Sequence, residues 1–145
     1  MKTTIPRTLY FAYGSNLNKS QMEMRCPNAK PIGKLMLADW RLVFRGVADI
    51  EPHEGGILPI GLWAITDKCE IALDVYEGYP RLYRKQHFDI QGKRYMTYVM
   101  NSDGISPPSV PYAETIRKGY DDFRLPTGFL DEAIKDSYKL ADGMF

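Results

Sequence analysis

Apolar and polar positions divide the chain into strand-like and helix-like stretches. Residues 8–13 (TLYFAY) have no polar face, which suits a central strand buried on both sides. Gly14, Ser15 and Asn16 follow with turn composition. Asn18, with Gln21 three positions on, matches a capping box and predicts a short helix over 18–25, ended by Cys26, Pro27 and Asn28. Residues 30–37 and 40–46 (WRLVFRG) read as two strands separated by Ala38 and Asp39. A polar turn is predicted at 52–56, then a strand over 57–65 (ILPIGLWAI) weakened by Pro59. Asp67 with Glu70 repeats the capping signal before a helix over 69–76, which Gly78 and Pro80 stop. Residues 83–90 and 94–100 predict a hairpin across Gln91 and Gly92. Pro111 suits the start of a helix over 112–120. After a break at 125–128, a last helix is expected over 129–140.

This order lacks the strict alternation of a doubly wound parallel sheet. It predicts an α+β fold with a mainly antiparallel or mixed, curled sheet of about six strands, a number sufficient to close a small barrel although the order does not encode closure. Residues 101–111 hold three prolines, three serines and a glycine, and read as a surface loop rather than an interdomain linker. One domain spanning 1–145 is expected, and a chain of that length buries enough surface to fold without disulfides.

Charge and composition narrow the partners. Nineteen basic and 18 acidic residues leave a net charge of +1, without the basic excess of a nucleic-acid binder. An apolar content of 44% excludes disorder as a description of the whole chain. Cys26, Cys69, His53 and His87 share no metal-ligand spacing, so no metal and no disulfide framework are expected. Residues 1–7 lack the apolar centre of a signal peptide, and no apolar run reaches the roughly 20 residues of a membrane helix. A reducing cytoplasm is the expected compartment, with no membrane and no nucleic acid as partner. Ten tyrosines are the one oddity, and tyrosine lines pockets as readily as cores.

Three segments carry candidate chemistry. In YFAYGSNL, residues 10–17, a buried strand stops at a turn whose backbone N–H groups form a site for a carboxylate or carbonyl oxygen. A turn that only caps the next helix has the same composition. Ser15 lacks the Gly-x-Ser-x-Gly elbow of an acyl nucleophile, and no phosphate loop is present. In DVYEGYPRLY, residues 74–83, Glu77 ends a predicted helix among Tyr76, Tyr79 and Tyr83. The helix C-terminal dipole and aromatic neighbours both raise a carboxyl pKa there, which suits a general base. A solvated glutamate, or one paired with Arg81 or Arg84, is the plainer alternative. In PPSVPY, residues 107–112, a stiff loop either places Tyr112 over a pocket or simply connects two elements. His53 and His87 read as structural or solvated.

Together these segments resemble the γ-glutamylcyclotransferase family, which includes the γ-glutamylamine cyclotransferase and AIG2-like proteins. The resemblance runs from about residue 8 to 140. It is anchored by YFAYGSNL, GVADIEP at 46–52, Gly61-Leu62-Trp63, LDVYEGY at 73–79, PPSVPY, and Leu125-Pro126 followed by Phe129-Leu130. It implies an α+β fold around a small mixed, mainly antiparallel β-barrel flanked by helices, and an intramolecular aminolysis that needs no metal or cofactor. The α-amine of a γ-glutamyl group attacks its own γ-carbonyl and releases 5-oxoproline and an amine or amino acid. The resemblance further implies that Glu77 is the catalytic acid/base. It implies that the strand and turn of Tyr10, Phe11, Ala12, Tyr13, Gly14, Ser15 and Asn16 hold the glutamyl end, and that Tyr112 lines the site. A small-molecule γ-glutamyl substrate and a monomer or weak homodimer are expected. Segments that would touch the leaving group, such as 48–56 and the loop before Tyr112, carry no decisive signature. Free γ-glutamyl amino acids, γ-glutamyl amines and larger γ-glutamyl compounds stay open, while glutathione-specific degradation belongs to a more distant branch. The alternative is a non-catalytic small-ligand-binding or interaction module on the same fold, which has no need of a carboxylate at Glu77.

Overall fold

The structure is a computed structural model and describes residues 5–142. Both ends of the expected 1–145 domain, including the first four residues of the 1–7 segment, lie outside the described residues. The apolar run after residue 7 forms β1 (Thr8–Ala12), the middle strand of a five-stranded sheet ordered β2-β3-β1-β5-β4. β1 runs antiparallel to β3 (Val47–Ile65), with Tyr10 opposite Trp63, and parallel to β5 (Lys93–Met100), with Tyr10 opposite Met96. β2 (Lys30–Arg45) pairs with β3, and β4 (Tyr83–Ile90) with β5, both antiparallel. The fold is therefore α+β and mainly antiparallel. The barrel expectation is corrected: β2 and β4 are the two edges and do not pair, so the sheet stays open.

Two sequence boundaries dissolve into one ribbon. The predicted break at Ala38-Asp39 and the predicted turn at 52–56 face each other across the β2–β3 ladder, which continues on both sides of them. Asp39 adopts a left-handed φ of 67° and its Oδ1 accepts from the Gly55 N–H, while Gly55 has a φ of 77°. The polar residues thus form a bulge inside two long strands, and a bulge bends the strands that carry it. Beyond the bulge, the start of β3 meets β5: buried Asp49 accepts from the Met100 N–H and pairs with Arg45. Pro59 is tolerated because β3 there runs past the end of β1 and has only β2 beside it. The β4–β5 hairpin turns through Gln91 and Gly92, both at positive φ, as a two-residue turn requires.

Four helices cover the sheet. α1 (Lys19–Arg25) is capped by the Asn18 side chain, which accepts from the Gln21 N–H. α2 (Asp67–Glu77) is capped by Thr66 rather than Asp67, since the Thr66 hydroxyl accepts from the Cys69 N–H. α3 (Val110–Asp122) takes Ser109 as its cap and carries Pro111 in its first turn. α4 (Gly128–Asp142) closes the described chain. α3 presses on the segment after β1: a Cβ at Gly119 would lie 2.5 Å from Leu17 Cβ and 2.6 Å from Asn18 N. Only glycine allows that approach.

The cysteines correct a second expectation. Cys26, at the end of α1, and Cys69, in the first turn of α2, are joined by a disulfide, with Cα atoms 5.0 Å apart. Forty-three residues separate them in sequence, so no local spacing announces the pairing. Among the described residues, no helix is long and apolar enough to cross a membrane.

Candidate active site

β1 stops at Ala12, and the chain turns through Gly14 into a single 3-10 turn, Ser15–Leu17. A cleft of about 650 Å³, counted with its open mouth, lies over this turn. Its walls come from β1, the start of β3, the end of α2, β5 and the first turn of α3. Tyr13, Gly14, Ser15, Asn16, Glu77 and Tyr112, which the sequence proposes from three distant segments, all face it, as does Tyr10.

Glu77 is the last residue of α2, and Gly78 closes the helix at a left-handed φ of 67°. Glu77 Oε1 accepts from Asn16 Nδ2 at 3.4 Å, so the carboxyl faces the turn directly. Burial pushes its pKa up to about 7, against a downward pull from the Arg25 cation. Burial is thus the leading cause, the desolvation that the aromatic neighbours announce in the sequence. The opposing cation differs from the expected Arg81 or Arg84: Arg84 donates to the Met100 carbonyl instead.

Arg25 organises this end of the cleft. One guanidinium nitrogen donates to Asn16 Oδ1 at 3.0 Å, another to Gln21 Oε1 at 2.7 Å, and the group stacks on the Tyr76 ring at 3.6 Å. A guanidinium only donates, so the Asn16 oxygen must face it. The Asn16 amide nitrogen is thereby turned to Tyr10 Oη, at 3.0 Å, and to Glu77.

Six of the ten tyrosines line the cleft, and their hydroxyls divide into kinds. Tyr13 donates to the Tyr98 carbonyl, Tyr83 to the Ala48 carbonyl, and Tyr98 to Asp74 Oδ1, so three hydroxyl hydrogens are committed to the scaffold. Tyr10 accepts from Asn16, and Tyr112 accepts from the Ala48 N–H at 3.0 Å, which leaves each with its own hydrogen to give. Tyr76 and Ser15 share a hydrogen bond of 2.9 Å. Burial pushes the Tyr10 and Tyr112 hydroxyls well above the ordinary tyrosine value, so both are neutral donors. The Tyr112 hydroxyl sits above the turn: a Cβ built on Gly14 would lie 3.6 Å from it and 3.0 Å from Ala48 Cβ. Among the described residues, the N–H groups of Gly14, Ser15 and Asn16 have no acceptor in the chain, while those of Leu17 and Asn18 bond back to Gly14 and Ser15. Residues with uncommitted donors and a carboxyl of raised pKa therefore line one cleft.

Two expected contacts are not made. Phe11 and Ala12 are buried but do not line the cleft. Phe11 packs edge-on against Phe88, and its carbonyl accepts from Thr97 Oγ1. Strand alternation turns Phe11 to the face opposite Tyr10, while Tyr13 lies past the end of β1 and is not bound by that alternation. His53 and His87 lie away from the cleft, and Ser15 has no histidine beside it. Among the described residues, no group of three or more His, Cys, Asp or Glu side chains is placed to hold a metal ion. Arg25, Val47, Thr97, Tyr98 and Leu82 belong to the site or its support without having been proposed for it. Thr97 and Tyr98 enter through the parallel β1–β5 pairing, which leaves no local trace in sequence.

A family model described as "Gamma-glutamyl cyclotransferase, AIG2-like" matches residues 10–120. No protein of curated function matches the sequence. Among solved structures, uncharacterized protein loc79017 from Homo sapiens is 26% identical, with a TM-score of 0.75 over 87% of this chain and 85% of that one. A structure named gamma-glutamyl cyclotransferase is 24% identical, with the same TM-score and the same coverage of both chains. YkqA from Bacillus subtilis is 23% identical with a TM-score of 0.69, over 90% of this chain but 54% of that one.

Proposed function

This chain belongs to the gamma-glutamyl cyclotransferase, AIG2-like family, and we propose that it acts as a γ-glutamyl cyclotransferase with Glu77 as its acid/base. The observation that carries the reading is the position of Glu77. A carboxyl with a pKa of about 7 faces a turn of uncommitted N–H donors across one cleft.

Each step is assigned to a named group. Near neutral pH about half of the Glu77 carboxyls are ionised and can accept a proton from the α-ammonium of a γ-glutamyl compound. The freed amine attacks the γ-carbonyl carbon and closes a five-membered ring. The developing oxyanion is met by the donors of the Gly14 turn and by the Tyr112 hydroxyl. The Glu77 carboxylic acid returns its proton to the departing nitrogen as the C–N bond breaks. The second proton of the attacking nitrogen then passes to the restored carboxylate, and from there to the released amine. The products are 5-oxoproline and the amine, with no water consumed. Holding the glutamyl chain in a folded, near-attack shape supplies much of the rate.

The test is incubation of the purified protein with γ-glutamyl amino acids and γ-glutamyl amines, with 5-oxoproline detected by mass spectrometry. Release by the parent, and its loss in Glu77→Gln, is the expected result. Binding of these compounds without any release would favour the non-catalytic module instead.

A further inference from the structure

A buried ion pair stands behind the cleft, and none of the reaction steps uses it. Asp49, 1% exposed, follows Ala48 in β3 and does not line the cleft. Its Oδ2 accepts from Arg45 Nε at 2.7 Å, and its Oδ1 accepts from the Met100 N–H at 3.0 Å. Arg45 is enclosed as well, with 7% of its side chain exposed. Its remaining nitrogens donate to the Asp103 carbonyl at 2.8 Å and to Glu51 Oε1 at 3.2 Å. The pair therefore ties the start of β3 to the end of β5 and to the loop that follows. That loop delivers Tyr112: it runs from Asp103 to Ser109, the cap of α3, whose hydroxyl oxygen accepts from the Tyr112 N–H. The Tyr112 hydroxyl in turn accepts from the N–H of Ala48, the residue beside Asp49. Both partners of that bond thus hang from one ion pair, Ala48 through Asp49 and Tyr112 through the loop that Arg45 grips.

We infer that Arg45 and Asp49 are positioning residues for the Tyr112 hydroxyl, and that they set where it stands over the Gly14 turn. This rests on the cyclotransferase reading, in which that hydroxyl meets the oxyanion, and extends it to two residues outside the cleft. Exchanging a buried ion pair for apolar side chains of similar volume is often neutral for stability, so stability alone gives little reason for one here. Direction is what the pair supplies. A guanidinium donates in a fixed planar fork, and here the fork spans a strand carboxylate and a loop carbonyl at once. A donor helps an oxyanion only when it is held at hydrogen-bond distance from where the charge develops, so a loop free to shift would cost rate before it cost binding.

The experiment is a double-mutant cycle between Tyr112→Phe and the paired change Arg45→Met with Asp49→Asn. The paired change leaves Glu51 held by Arg41 and keeps an acceptor for the Met100 N–H. With γ-glutamyl-alanine as substrate, the paired change should lower kcat at least about tenfold with KM nearly unchanged. Tyr112→Phe, which should cost about 10²-fold in the parent, should cost less than about tenfold in that background. A role in stability alone would lower the Tm and leave the Tyr112→Phe factor whole. An undiminished factor, or an unchanged kcat, overturns the inference. Nuclear magnetic resonance reads the same cycle without turnover. Tyr112→Phe should displace the Ala48 amide proton signal in the parent, and less than half as far in the paired variant. That result sustains the inference even if no 5-oxoproline is released, in which case only the catalytic reading falls; equal displacement overturns it. If the paired variant does not fold, Arg45→Lys carries the cycle. Its ammonium keeps the charge opposite Asp49 but loses the fork, and the same outcomes decide.

Discussion

Glu77→Gln should separate activity from stability, and should do so in a pH-dependent way. In the unfolded chain a glutamate titrates near its ordinary 4.5, whereas burial holds Glu77 at about 7 in the fold. The folded protein therefore binds that proton more tightly than the unfolded chain does. Below about pH 4.5 both states are protonated and the site has no stability penalty. As pH rises through 4.5 the unfolded chain ionises first, and the fold loses ground until Glu77 itself ionises near 7. The gap of about 2.5 units corresponds to about 3 kcal/mol of destabilisation at pH 8. Glutamine keeps the shape and the acceptor that Asn16 uses, and it never ionises. The variant should melt with the parent at pH 4.5 and roughly 10 °C above it at pH 8. Turnover at pH 8 should fall by about 10²–10⁴-fold, the usual contribution of general acid–base catalysis. Calorimetric melting of both proteins across pH 4.5–8, with 5-oxoproline release measured at each pH, tests both halves. A variant that melts at or below the parent at pH 8 would refute the claim that the carboxylate is desolvated. An offset that does not change with pH would refute it equally.

Three further outcomes follow from the same geometry. The acidic limb of kcat/KM should lie near pH 7, and Arg25→Met should move it upward, because the Arg25 cation lowers the Glu77 pKa; Arg25→Lys should move it less, and a limb that stays put would remove Arg25 from the account. Tyr112→Phe should lower kcat by about 10²-fold with KM nearly unchanged, since it deletes one donor above the turn and leaves the Ala48 N–H without its acceptor; a loss under about threefold in steady-state turnover would exclude the hydroxyl from the oxyanion site. Reduction with dithiothreitol should destabilise the fold by about 4 kcal/mol, the loop-closure value for a bridge across 43 residues, read as a lower Tm by scanning calorimetry; equal Tm values with and without reductant would contradict it.

Local chemistry made much of this legible, and long-range pairing hid the rest. The hairpin turn at Gln91-Gly92, the Asn18 cap and the Gly78 stop each depend on a few adjacent residues, and each stands where the sequence puts it. The Asp39–Gly55 bulge misleads because polar and glycine residues mark a bend in a ladder as readily as a turn between strands. The open sheet and the Cys26–Cys69 bridge depend on which edges and helix ends meet, and no periodicity encodes that. Glu77 is legible as a carboxyl of raised pKa because its aromatic neighbours in sequence announce the desolvation that raises it. Arg25 left no signal because its role exists only once α1 folds back over the turn.

The tyrosine count, an oddity of composition, becomes a statement about mechanism once each hydroxyl is followed to its partner. Tyr13, Tyr83 and Tyr98 send their hydrogens into the scaffold and tie the turn to β5, β4 to Ala48, and β5 to α2 around the cleft. A phenol in these places supplies the bulk of a core residue and a fixed strut at the same time. Tyr10 and Tyr112 take the opposite arrangement, for each is held as an acceptor and keeps its donor hydrogen. Accepting a bond from a fixed amide orients a hydroxyl before any ligand arrives, so little reorganisation is needed when an oxyanion forms. The same logic orders Asn16, whose oxygen is engaged by Arg25 and whose nitrogen is thereby aimed at Tyr10 and Glu77. The cleft thus combines donors that are oriented but uncommitted with one carboxyl kept near neutrality by burial. Phenylalanine in place of Tyr13, Tyr83 or Tyr98 should therefore lower the Tm more than it lowers kcat, and in place of Tyr112 should do the reverse.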